Sequence, residues 1–135
     1  MQESGQTKKL FTYQELLQSI QKELEDIFGT RSSFSVDDLQ SLLTKVSNEA
    51  FLAGIPGIMG FPTTSNIFLE DLSSWGLVER QCELMIRLFE SRILSPRVNI
   101  AKFDTNKQEL ILKITGTIVC RNRRELASFS IAVRD

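Results

Sequence analysis

Leu110-Ile111-Leu112-Lys113-Ile114-Thr115-Gly116-Thr117-Ile118-Val119-Cys120 and, after a short polar break, Leu126-Ala127-Ser128-Phe129-Ser130-Ile131-Ala132-Val133 decide how this chain folds. In the first segment Leu110, Leu112, Ile114, Ile118 and Cys120 share one parity. In the second, Phe129, Ile131 and Val133 alternate with Ser128, Ser130 and Ala132. A period of two is the pattern of a strand with one buried face. Gly116 falls in the middle of the long run and predicts a bulge or a close backbone approach. Arg121, Asn122, Arg123 and Arg124 supply the turn between the two segments. Upstream, Val98 and Ile100 begin another strand, and Asp104-Thr105-Asn106-Lys107 supplies the turn that follows it.

Ahead of the strands the period is helical. Thr12 and Glu15 have capping-box spacing, with Phe11 placed to staple onto Leu16. Leu16, Leu17, Ile20, Leu24, Ile27 and Phe28 form one stripe, and Gly29 suits a left-handed closing residue. A second helix is expected from Ser35 to about Leu52, ended by Gly54 and Pro56, and a third from Trp75 or Gly76 to Leu94, ended by Pro96. Between them, Ala50 to Leu69 carries no charge. It is too broken by Gly54, Pro56, Gly57, Gly60 and Pro62 to span a membrane, and reads as an apolar loop folded on the core. If Ile55, Ile58, Met59 and Phe61 were instead exposed, they would mark an interface. Helices followed by an antiparallel meander give an α+β fold, with N-terminal helices packed on a C-terminal antiparallel sheet of at least three strands. Residues 1–9 read as a flexible tail and 10–135 as a single domain.

Composition narrows the function by exclusion. The 135 residues, 41% hydrophobic and 24% charged, suit a soluble globular chain, and a net charge of -1 argues against general nucleic-acid binding. There is no histidine, so Ser–His and Cys–His nucleophilic machinery and histidine metal ligands are absent. No glycine-rich phosphate loop is present either. Cys82 and Cys120 are far apart, match no zinc or redox spacing, and read as small buried hydrophobes in a reducing compartment. The polar N-terminus lacks the apolar core of a signal peptide. No cofactor, metal or membrane insertion is expected, and the location expected is cytoplasmic.

Leu126 to Val133 contains no charge, proline or glycine. If the strands pair in chain order it lies at a sheet edge, where natural proteins usually place such guards. An unguarded edge is either covered within the domain or able to receive a strand from another chain.

Phe89-Glu90-Ser91-Arg92-Ile93, just before the sheet, resembles the Phe-Glu-Pro-Arg-Leu signature of the baseplate wedge family of contractile injection systems. That family takes in a phage-tail wedge protein, labelled lysozyme-like, and the type VI secretion baseplate subunit TssE. Arg97 to Ile100 and Leu110 to Gly116 look like its paired strands. Leu16 to Arg31 is similar to its opening helix, with Thr30-Arg31 matching a Thr-Arg step. The motif proline is Ser91 here, the family's central Asn-Tyr-Gly segment has no clean counterpart, and about 33–66 looks like an insertion. The resemblance implies a non-enzymatic structural subunit whose partners are other wedge subunits and the contractile sheath protein, the last strand serving as a template. Glu90, Arg92 and Arg97, with Phe129, Ile131 and Val133 on the last strand, are the implied partner-binding residues. By helical geometry Glu90 and Arg92 point apart, so each is expected to seek its charge partner elsewhere. Arg121, Arg123 and Arg124 either meet an acidic partner or are simply solvated.

Two other functions compete. A lysozyme-like hydrolase needs two carboxylates roughly 5 to 9.5 Å apart across a cleft. Glu70, Asp71 and Glu90 are the candidates, but Glu70 and Asp71 are adjacent and point apart in either regular structure. The other alternative is a generic protein–protein adaptor of the same fold.

Overall fold

The computed structural model describes residues 12–63, 72–104 and 106–134. Helix α1, Tyr13–Gly29, opens where the capping box places it. Thr12 Oγ1 accepts the Glu15 N–H at 3.0 Å, and Glu15 Oε1 accepts the Thr12 N–H at 2.9 Å. Ile20, Leu24, Ile27 and Phe28 are its buried stripe. Phe11 lies outside the described residues. The helix closes differently from the expectation, because Gly29 is not left-handed. Thr30 instead turns extended, and its hydroxyl donates to the Asp26 carbonyl at 3.0 Å, satisfying one of the carbonyls a helix end leaves open.

Strand β1, Arg31–Ser35, follows directly and pairs in parallel with β2, Phe61–Thr63. Gly60, at φ +129°, lets the chain enter β2 close to the backbone of Thr30 to Ser32. Between these strands the single helix expected is two, α2 at Val36–Lys45 and α3 at Glu49–Ala53. Ser35 caps α2 through the Asp38 N–H at 3.0 Å. The break comes where Val46 turns extended and Asn48 Oδ1 accepts the N–H groups of Ala50 and Phe51, at 3.0 and 3.4 Å. A side chain that offers the backbone its own acceptor starts a new helix instead of continuing the old one. Of the uncharged stretch, Leu52, Ile58 and Phe61 are buried and Ile55 and Met59 half-buried, so Ile55, Ile58, Met59 and Phe61 form no exposed patch.

Helix α4, Leu72–Phe89, stops well before Leu94, and β3 runs from Ile93 to Asp104. Pro96 therefore does not end the helix. It sits within β3 at a bulge between Leu94 and Arg97, beside Ser95 at φ 52°, where a strand tolerates proline. Strands β4, Glu109–Cys120, and β5, Arg123–Arg134, complete an antiparallel sheet in the order β3-β4-β5. Asp104 Oδ1 accepts the Asn106 and Lys107 N–H groups in the first turn. The second turn is only Arg121 and Asn122, both at positive φ as a two-residue primed turn requires, so Arg123 and Arg124 belong to β5.

Leu110, Leu112 and Ile114 stand opposite Val133, Ile131 and Phe129, and all six side chains are buried in the core with α1 and α4. Among the described residues, no helix lies on the other face of the sheet. Gly116 faces the β3 bulge, because Leu94 pairs with Thr117 and Arg97 with Thr115. A β-carbon there would overlap Ile93 Cγ2 and lie 3.1 Å from the Leu94 carbonyl oxygen. The glycine thus marks a close approach, and the bulge belongs to the neighbouring strand. Gly116→Ala should cost about 1–3 kcal/mol in urea unfolding. The loss should shrink in an Ile93→Ala background, and equal losses in both backgrounds would rule out this contact as the cause.

Candidate functional site

Glu90 and Arg92 do pair, contrary to the expectation from helical spacing. Glu90 is past the last helical residue, so the 100° rotation per residue no longer applies. Its N–H still bonds the Ile86 carbonyl at 2.7 Å, and the chain then turns sharply into β3. Within that turn Glu90 Oε2 accepts the Arg92 main-chain N–H at 2.9 Å. The Arg92 guanidinium grips both carboxylate oxygens, with Nη2 2.6 Å from Oε1 and Nε 3.0 Å from Oε2. Glu90 is 3% exposed. The Arg92 side chain is 39% exposed and donates from Nη1 to Ser19 Oγ on α1 at 3.0 Å. Its hydrogen bonds to Glu90 raise the guanidinium above its ordinary pKa, burial works against them, and the charges of Glu90 and Glu23 add to the rise. The three-residue turn is therefore a clamp that ties α1, the end of α4 and the start of β3 together. Arg97 stands apart from it, exposed on the helix-free face opposite Thr115.

The two sheet edges are treated differently. On β3, the Val98 N–H donates to Glu83 Oε2 at 2.9 Å and the Ile100 N–H to Glu79 Oε2 at 2.7 Å, so α4 caps this edge with carboxylates. The sequence reading missed both residues; their i,i+4 spacing beside a predicted strand was the available signal. On β5, Phe129, Ile131 and Val133 are 6%, 2% and 2% exposed and face the core. Their side chains are therefore not open to a partner. Along an antiparallel strand, residues alternate between bonding the neighbour and facing away from it. The Ser130 carbonyl accepts Gln21 Nε2 of α1 at 3.1 Å and the Arg134 carbonyl accepts Arg31 Nη2 at 2.8 Å, so these residues face outward, as by parity do Leu126, Ser128 and Ala132. Among the described residues, no side chain bonds the main chain of those three.

Helix α1 runs alongside this edge and leaves a seam of hollows. The largest, about 400 Å³, is lined by Leu17, Gln18, Gln21, Lys22 and Glu25 with Ser128 and Phe129. Another, of about 290 Å³, lies between Tyr13 and Glu125, and a third, of about 350 Å³, between Phe28 and Ala132. Each is lined by a single acidic residue.

Of the candidate hydrolytic carboxylates, Glu70 and Asp71 lie outside the described residues, and Glu90 has both oxygens engaged by Arg92. Cys82 is fully buried, and burial pushes its thiol pKa far up, with the charges of Glu79 and Glu83 adding to the rise. Cys120 is half-buried. Among the described residues no helix is long and apolar enough to cross a membrane.

Residues 14–123 match the family described as baseplate wedge protein gp25. A solved structure from Geobacter sulfurreducens, provisionally named a tail lysozyme, aligns at 16% identity over 89% of this chain and 93% of that one, with a TM-score of 0.48. No curated protein matches the sequence.

The clamp predicts an asymmetry between its two truncations. Arg92→Ala leaves a buried carboxylate with only one main-chain donor, whereas Glu90→Ala leaves an arginine that reaches water. Arg92→Ala should therefore destabilise more, by about 1–3 kcal/mol in urea unfolding. A larger loss from Glu90→Ala would show that the clamp is not what holds the turn.

Proposed function

The chain belongs to the gp25 baseplate wedge family, and from that premise we propose that it is a non-enzymatic structural subunit of a contractile injection machine of the type VI secretion kind. It works in the cytoplasm, docks neighbouring wedge subunits and templates the sheath by accepting a strand from the sheath protein along β5. The observation that carries this reading is the contrast between the edges. Charged side chains from α4 cap β3, while Leu126, Ser128 and Ala132 on β5 have outward main-chain groups beside a groove. An added strand would take its hydrogen bonds from that row and set alternate side chains into the seam against α1.

In this reading Phe129, Ile131 and Val133 contribute by fixing the register of β5 from the core side. Glu90 shapes the turn, and Arg92, the more exposed member, presents the charge that meets a neighbouring wedge subunit, with Arg97 offering a second cation on the sheet. The support for a non-enzymatic role is the family match; among the described residues, each hollow along the α1–β5 seam presents one acidic residue, where glycoside hydrolysis needs two carboxylates.

Ser128→Pro tests the strand-addition step. It removes an outward N–H that β4 does not use, and edge positions of this kind accept proline. The variant should keep the parent's circular dichroism spectrum and unfold within about 0.5 kcal/mol of it. Recovery of co-expressed sheath protein with it should fall by about ten-fold or more, equivalent to about 1.4 kcal/mol. A folded Ser128→Pro protein that recruits sheath protein as the parent does would overturn the template role.

A further inference from the structure

The helix-free face of the sheet has its own pattern, separate from the edge. Leu94, Thr117 and Leu126 form one row across the three strands, and Val119 lies next to it on β4. Leu126 is 79% exposed, Val119 45% and Leu94 37%. Large apolar side chains are thus gathered at the hairpin end of the face, with the small polar Thr115, Ser128 and Ser130 in the next rows and Ile111 further along. The charges on these rows are all of one sign. Arg97 pairs across with Thr115, Lys113 with Asn99 and Ser130, and Arg124 with Val119. Among the described residues none of these cations has a carboxylate partner, and the acids on this face, Asp104 and Glu109, stand opposite each other at the far end, where Asp104 Oδ1 accepts the Asn106 and Lys107 N–H groups and Glu109 is held by Arg134 at 2.7 Å. A chain of net charge -1 has concentrated cations around an apolar centre.

We propose that this face docks an amphipathic helix of a partner protein. The helix seats its apolar side on Val119, Leu126 and Thr117 and sets acidic flanks against Arg97, Lys113 and Arg124. Width selects a single helix: three strands span two spacings of about 4.8 Å, close to the roughly 10 Å diameter of a helix. The small residues of the middle rows let it approach closely, and the product is a sheet covered on both faces, a layered arrangement domains commonly adopt. Charge complementarity selects the acidic flanks. The face has no aromatic platform for bases, which argues against a nucleic acid. This docking uses side chains on the face, whereas strand addition uses main-chain groups on the edge, so the two stand or fall separately.

The probe is a synthetic stapled helix with one leucine face flanked by glutamates, titrated against the full chain by fluorescence anisotropy. Saturable binding is expected, with amide shifts in nuclear magnetic resonance spectra concentrated at 113–119 and 124–128. Leu126→Asp and Lys113→Glu should each weaken binding about ten-fold or more, as loss of an interface anchor does. The same peptide with lysines for glutamates should not bind. Both charge variants alter exposed positions, and thermal unfolding checks that each is folded. The proposal is overturned if the peptide does not bind, if folded Leu126→Asp and Lys113→Glu bind it as the parent does, or if duplex DNA or phosphatidylserine vesicles bind this face and the peptide cannot displace them.

Discussion

A three-stranded sheet has two edges, and the rest of this structure follows from how the first of them is closed. Glu79 and Glu83 are one helical turn apart and accept the N–H groups of Ile100 and Val98. Four residues along a helix advance about 6 Å and two along a strand about 6.6 Å, so the two ladders match without adjustment. Hydrogen bonds to carboxylates are stronger than neutral ones. They bind α4 along β3, whereas on the opposite edge, among the described residues, no side chain bonds the main chain of Leu126, Ser128 or Ala132. Cys82, between the two glutamates in sequence, faces the core, which is why its side of α4 is buried while the carboxylates reach the sheet margin.

Fastening α4 to β3 places a burden on the connection between them, which spans only Glu90 to Arg92. The Glu90 carboxylate takes the main-chain N–H of Arg92 and its guanidinium together, doing by hydrogen bonding what a proline in place of Ser91 would do by restricting φ. Arg92 then reaches Ser19, so the turn also sets the position of α1. From there α1 follows β5, with Gln21 and Arg31 bonding two of its outward carbonyls. The helix brackets the open edge without closing it.

Much of this was readable in the residues. The alternation through Leu110–Ile118 and Phe129–Val133 defined the meander, and Thr12 with Glu15 and Ser35 with Asp38 marked helix starts, because those signals are local. The misses share a cause in contacts distant along the chain. Strands β1 and β2 are short, parallel and separated by two helices, so neither shows an alternation long enough to read. The end of α4 was misplaced because Glu90, Ile93 and Leu94 continue a helical pattern that only the sheet overrides. The pairing of Glu90 with Arg92 was missed for the same reason, since it depends on the helix having already ended. Glu79 and Glu83 show only an i,i+4 spacing until a strand lies beside them.

The unequal treatment of the edges also bears on self-association. Were both open, β5 of one copy could add to β3 of the next, and a heterologous contact of that kind repeats without closing. Carboxylates from α4 already occupy the β3 donors such a contact would need. The remaining route is β5 against β5 of a second copy. Antiparallel pairing that sets Ser128 opposite Ser130 also sets Arg124 opposite Arg134, and like charges directly opposite destabilise a strand pair. Both arginines lie at the ends of β5 on its exposed face, leaving Leu126 to Val133 uncharged between them. The charges that are missing from the middle of the strand stand at its two ends. There they disfavour that register of pairing with a second copy of this chain.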